Sequence, residues 1–341
     1  MHQLEWLTDE EYRELLYSQV KPLLKHPVTF ENTDILCRLN RNNVDIKITD
    51  IDVRLFRSAE GTRALRCLTP TDPEIQLKFA EILKKMKPGQ ETSAGSNAYD
   101  IYQNAASFLR ESDLVDSRVQ IAVVDLLKHP LEEIRYHAFY SLKRNPILDL
   151  KVQLALLEIL KTPRIQESGD PAGLSADLLG HAQPKDPAIF SELFVMLQSA
   201  NEDQASAAVN ALGDINPKDP ETLSKLTEIL QDNDRHRAYR AVTVFRLIAK
   251  NNTGAQRVLA EFLVGSNREV ADRVASDFWN NELTDEESIS KVAAFIRKEW
   301  NNAGSHVQWT IRQLRPKSPK ILEAIRDIDP KFEIDWIRLE Q

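Results

Sequence analysis

The sequence predicts an all-α chain, an α–α superhelical solenoid of about seven full helical hairpins. Three observations carry this prediction: an internal period of 33 residues, apolar triplets at helical spacing within each period, and a scarcity of glycine. The segment LGHAQPKDP at 179–187 returns 33 residues later as LGDINPKDP at 212–220. Only 10 of 341 residues are glycine, while Leu, Ala, Glu and Lys, all good helix formers, dominate. Repeats of this length form stacked supersecondary units, each too small to bury its apolar face alone.

Each unit contains two helices with their own markers. From Leu212, steps of 33 reach Leu179, Phe245, Phe278 and Ile311, and earlier steps of 37 and 33 reach Leu142 and Leu109. The first-helix markers Leu127, Leu160, Leu197, Leu230, Leu263 and Ile296 keep the same spacing, which locates one four-residue insertion in 163–170. Upstream, Leu83 and Leu109 are 26 apart where 15 is the rule, and the extra eleven residues coincide with KPGQETSAGSN at 87–97. In first helices the positions four and one before the marker are apolar, which puts three residues on one helical face. In second helices the position four before the marker is small: Ala105, Ala138, Ser175, Ala208, Ala241, Val274 and Val307. Small side chains there allow close helix approach.

The elements follow in order. Residues 8–25 read as a helix capped by Thr8, within an N-terminal capping segment 1–57. Residues 44–56 alternate apolar and polar, the period of a small β-hairpin; the alternative is a poorly patterned helix. The solenoid spans 58–329, with seven complete hairpins from about 72 to 314. Asp186-Pro187 and Asp219-Pro220 read as N-cap and first helical residue, and Thr284 with Glu287 as a capping box. The segment 315–341, using Ile321, Leu322, Ile325, Phe332 and Trp336, closes the last apolar surface, with 330–341 as a tail.

HPLEEIRYHAFYSL at 129–142, ASAAVNALGDI at 205–215 and QDNDRHRAYRA at 231–241 resemble the short HEAT-like repeats of bacterial proteins, including the phycobilin-lyase type. That family's Val-Arg at the start of the second helix survives best as Ile134-Arg135. The ankyrin and tetratricopeptide signatures are missing. The resemblance implies stacked helical hairpins and leaves function open.

Composition narrows the function classes. The net charge of −8 disfavours nucleic acid and anionic membrane surfaces as partners. No run approaches a membrane span, and the start of the chain has no apolar leader core, so the expected location is cytoplasmic. Cys37 and Cys67 make no disulfide framework. The seven histidines form no HExxH pattern and read as solvated surface residues. Gly180 and Gly213 share a repeat position and read as helix-packing features, and Asp177 and Asp277 have no acid–base partner. No catalytic residue, metal or cofactor is therefore expected.

The resemblance also brings in HEAT-like glycosylases for alkylated bases, toward which Asp277, Trp279, Trp309 and Arg312 would point. A lyase or chaperone-like helper for a modified protein is a further alternative. The primary expectation is a non-enzymatic scaffold that binds a protein or peptide on its concave face. There the second helices expose positions −6, −2 and +1 relative to their markers. The residues expected to meet a partner are Tyr136, Tyr140, Lys143, Asp177, Asn210, Tyr239, Arg246, Trp279, Trp309 and Arg312. A second candidate surface is the rim carrying the insertions 87–97 and 163–170.

Overall fold

The structure is a computed structural model that describes Ser18 and residues 59–68, 71–87, 97–162, 169–265, 268–278, 283–299, 301 and 319–328. The described residues are helical, with no strand among them. None of their helices is long and apolar enough to cross a membrane. The chain divides into two compact units, Met1–Ala182 and Gln183–Gln341. The first holds α1 (Ala59–Leu68), α2 (Pro73–Lys84), α3 (Asn97–Glu111), α4 (Ser117–Asp125, extended by a 3-10 turn Leu126–Lys128), α5 (Glu132–Arg144), α6 (Leu150–Leu160) and α7 (Pro171–Ala182). The second holds α8 (Pro187–Leu197), α9 (Glu202–Ile215), α10 (Pro220–Leu230), α11 (Arg235–Ala249), α12 (Thr253–Leu263), α13 (Arg268–Phe278), α14 (Glu286–Glu299) and α15 (Pro319–Ile328).

These bounds match the 33-residue ladder. Each unit contains three complete hairpins, α2–α3, α4–α5 and α6–α7 in one, α8–α9, α10–α11 and α12–α13 in the other. The partner expected for α14, around Ile311, lies outside the described residues, as do the alternation at 44–56, the tail 330–341 and all of the 8–25 helix except Ser18. Within the first unit, first helices pack on first helices (α2 on α4 on α6) and second on second (α1, α3, α5 and α7 in a row). The second unit repeats this with α9, α11 and α13 in one row and α10, α12, α14 and α15 in the other.

The core is built from the ladder positions. Val123, Leu156, Leu193, Leu226 and Val292 are fully buried, and so are the small Ala105, Ser175, Ala208, Ala241 and Val274 of the second helices. Ser175 keeps its hydroxyl satisfied by donating to the Leu156 carbonyl at 2.7 Å. The position one before the first-helix marker is less uniform: Ile82, Phe262 and Phe295 are only half-buried. Gly213 fits its expected packing role, because a Cβ there would sit 2.7 Å from Leu247 Cδ1 where α9 and α11 approach.

An aspartate ends most loops between hairpins, and Asn252 takes that place before α12. Asp72, Asp116, Asp149, Asp186 and Asp219 all cap the following helix in extended conformation, and Pro73, Pro187 and Pro220 open theirs. Each cap is worth about 1 kcal/mol. The expected cap at Thr284 is displaced by one residue. α14 begins at Glu286, and Asp285 accepts from the Ser288 backbone N–H at 2.9 Å and from the Ser288 hydroxyl at 2.8 Å. Thr284 is instead held by Gln256, whose side-chain oxygen accepts the Thr284 N–H at 3.0 Å.

That glutamine belongs to a series. Gln76, Gln120, Gln153 and Gln256 sit seven before the first-helix marker, are buried, and donate to loop carbonyls or, for Gln256, to the last residue of α11. Gln120 Nε2 bridges its own loop at Leu114 (2.6 Å) and the next at Pro146 (3.0 Å). Gln256 likewise bonds Ala249 at 2.8 Å while its oxygen holds the next loop. In α8 and α10 the position is taken by Phe190 and Leu223, and these two helices barely touch.

Candidate partner-binding face

In the first unit the candidate residues cluster on α5. Its buried side faces the core through Ile134, Ala138 and Leu142. Helical periodicity therefore turns Tyr136, Tyr140 and Lys143 outward. Tyr140 is 53% exposed. Its ring stacks on Tyr136 at 6.3 Å and meets Phe139 edge-on at 5.2 Å, so the pair is held in one orientation. Lys143 sits 5.0 Å from the Phe139 ring centre and donates to both carboxylate oxygens of Asp177 on α7, at 3.0 and 2.9 Å. Aromatic surface and a neutralised ion pair thus lie side by side.

The base of α5 is pinned by Arg135, only 2% exposed. Its Nε donates to the Gly169 carbonyl at 2.7 Å, and Nη1 donates to those of His129 and Pro130 at 2.8 and 3.0 Å. Gly169, at φ +74, is in the left-handed region, and a Cβ there would press on Glu132 Cγ at 3.3 Å. The turns within the α4–α5 and α6–α7 hairpins are thereby tied together beside Tyr136.

In the second unit Asn210 on α9 is exposed, and Tyr239 on α11 is 50% exposed. Tyr239 lies in a shallow, open depression of about 450 Å³ with Arg235, His236, Glu269 and Arg273. Arg235 pairs with Glu269 at 3.2 Å, while Arg240 is drawn inward to the Leu197 and Ser199 carbonyls at 3.0 and 2.8 Å. Arg246 is half-buried rather than open, and its Nε, like Asp272 Oδ1, is buried without a hydrogen-bond partner. Gly180, read as a helix-packing residue although its position falls on the exposed stripe, is buried.

Trp309 and Arg312 lie outside the described residues, as do Trp279, the insertion residues 88–96 and 163–168, and Cys37. The structure therefore brings together Tyr136, Tyr140, Lys143 and Asp177 in one unit, and places Asn210, Tyr239 and Arg246 in the other.

Two histidines depart from the surface reading. His129 is buried, and its Nδ1 accepts the Leu131 N–H at 3.1 Å. Desolvation holds its pKa below the usual histidine value, with Arg135 adding to the effect against a bond to the Met86 backbone. His137 is half-buried against Tyr102, and desolvation first, then Arg110, lowers its pKa. In both, burial favours the neutral imidazole. Among the described residues no cluster of three or more His, Cys, Asp or Glu could hold a metal ion. The glutamine series and the inward-turned Arg240 and Arg273 escaped the sequence reading. Their signal was present as one residue type recurring in register, 33 apart for Arg240 and Arg273.

No protein-family model and no curated protein sequence matches the chain. Among solved structures the chain is similar to an engineered protein (15% identity, TM-score 0.33, covering 97% of this chain and 91% of that one). It is similar to an archaeal HEAT-like repeat protein from Thermococcus onnurineus NA1 (14% identity, TM-score 0.36, 73% of this chain and 98% of that one). A third is a computationally designed armadillo repeat protein for modular peptide recognition (15% identity, TM-score 0.27, 59% of this chain and 98% of that one).

Proposed function

We propose that the chain is a non-enzymatic scaffold that binds a protein or peptide partner on the exposed faces of its second helices, without a cofactor. One observation carries the reading: Tyr140 and Tyr239 stand half exposed on helices whose opposite sides are fully buried. Tyrosine in such a position offers a large, stiff contact area at low entropic cost and is enriched at binding hot spots. The cations beside them are already paired, Lys143 with Asp177 and Arg235 with Glu269. Such a charge-balanced surface suits a protein partner better than a phosphate backbone.

The test is the double variant Tyr140→Ala/Tyr239→Ala. Its circular dichroism and thermal midpoint should match wild type, because neither ring fills the core. Partners recovered by affinity capture from the native cell, identified by mass spectrometry, should lose at least about tenfold in affinity, roughly 1.4 kcal/mol. Retention of every wild-type partner at wild-type strength would falsify the assignment.

A further inference from the structure

The second unit contains a cleft of about 490 Å³ on a different edge, between the loops that join successive hairpins. It opens where the bridging glutamine is missing. At other loops Gln120 or Gln256 spans from one loop to the next and closes the edge. Here Phe190 occupies that register, the first helices α8 and α10 barely touch, and the space between loops 183–186 and 216–219 stays open.

The lining divides by chemistry. Phe190, Phe194 and Ile215 make an apolar wall. Lys185 and Lys218 occupy the same position in the two QPKDP and NPKDP loops, are exposed, and line the cleft. The two carboxylates of the lining, Asp219 and Glu221, are already engaged within it, the latter by a third lining lysine. Asp219 caps α10 by accepting the Thr222 N–H at 2.8 Å, and Glu221 pairs with Lys225 at 3.1 Å. Gln183 and Asn216, also one period apart, are both in the left-handed region, at φ 47 and 51, and fix where each loop leaves its helix. The cleft therefore combines an apolar slot with two repeat-related cations in a chain whose total charge is −8.

We propose that this cleft is a docking site for a short, extended acidic peptide segment with one aromatic or large apolar anchor. The anchor enters between Phe190 and Phe194, and flanking carboxylates reach Lys185 and Lys218. Complementarity selects this occupant: a neutral apolar ligand would leave both lysines unmet, and a purely anionic one would leave the apolar wall wet. The site is separate from the second-helix face, so either assignment can fail while the other stands.

The full chain is titrated, by fluorescence anisotropy, into a labelled heptapeptide with two glutamates on each side of a central tryptophan. Control peptides carry lysine for every glutamate, or alanine for the tryptophan; an octathymidine strand tests the phosphate alternative. Wild type should bind the acidic aromatic peptide, and both control peptides should bind about tenfold more weakly. Lys185→Glu/Lys218→Glu, two exposed positions that leave the core untouched, should lose about tenfold for the acidic peptide and gain affinity for the lysine peptide. Equal binding of the acidic peptide by wild type and the double variant overturns the proposal. So does wild type failing to bind it, or binding octathymidine more tightly.

Discussion

Arg135 shows how much one side chain can organise in a small repeat. Its planar fork satisfies three carbonyls in two separate turns, one of them at Gly169 in the next hairpin. Removing it strands buried acceptors and uncouples the turns beneath Tyr136. Arg135→Ala should therefore destabilise the chain by about 3 kcal/mol in urea unfolding. Arg135→Lys should recover less than half of that, because a single ammonium cannot replace bidentate geometry. Full rescue by lysine would show that charge alone suffices. In the sequence Arg135 stood out as the surviving member of a Val-Arg pair, but its three acceptors did not. Carbonyls have no side-chain signature, and Gly169 lies within the 163–170 segment, which has no counterpart in the other repeats. The buried glutamines were hidden for the opposite reason. A search for apolar periodicity discards a polar residue on a core face, although a glutamine satisfied at both ends is at home there.

At the scale of the element, helix starts were the most legible feature and also the place of one clear displacement. Asp186 and Asp219 declared themselves through the proline that follows each. α14 has no such proline, and a Thr–Glu pair three residues apart outweighed the aspartate beside it. Asp285 is the better cap because its carboxylate serves Ser288 and Arg257 at once, the latter at 3.0 Å. Its burial acts to raise the carboxyl pKa, but Arg257 and Ser288 together outweigh this and hold it below the usual aspartate value. A lowered folded pKa means that the unfolded chain takes up the proton first as pH falls. The stabilisation from Asp285 is thus complete above about pH 5 and is lost as pH drops below about 4. Asp285→Asn keeps a capping oxygen and removes the charge. The gap in urea midpoint between wild type and this variant should be widest near neutrality and should close in acid. A gap independent of pH would mean that the Arg257 pair contributes nothing to α14.

For the molecule as a whole, the 33-residue period gave the hairpin order and the core positions in advance, since both follow from apolar spacing. It could not show where the stacking weakens. Phe190 reads as a better core residue than glutamine, yet its presence at the bridging position accompanies the one neighbouring pair of first helices in the second unit that does not pack. In a repeat array stability is roughly a sum of hairpin terms and nearest-neighbour interfaces, so a weak interface has a local consequence. In the second unit, α12 is held on both sides in its row, by α10 and α14, and is anchored through Gln256. α10 has α12 on one side and the cleft on the other. Native-state hydrogen exchange should therefore find the amides of α10 opening at lower free energy than those of α12, by about 1–2 kcal/mol for a missing buried bridge and its packing. Equal protection would place the weak interface elsewhere. Phe190→Gln, which puts the glutamine of other first helices at the bridging position of α8, should raise α10 protection toward that of α12 by bonding the Pro184 carbonyl, the register that Gln120 bonds at Leu114, and the next loop across the cleft; unchanged protection would show that the missing bridge does not set the weak interface.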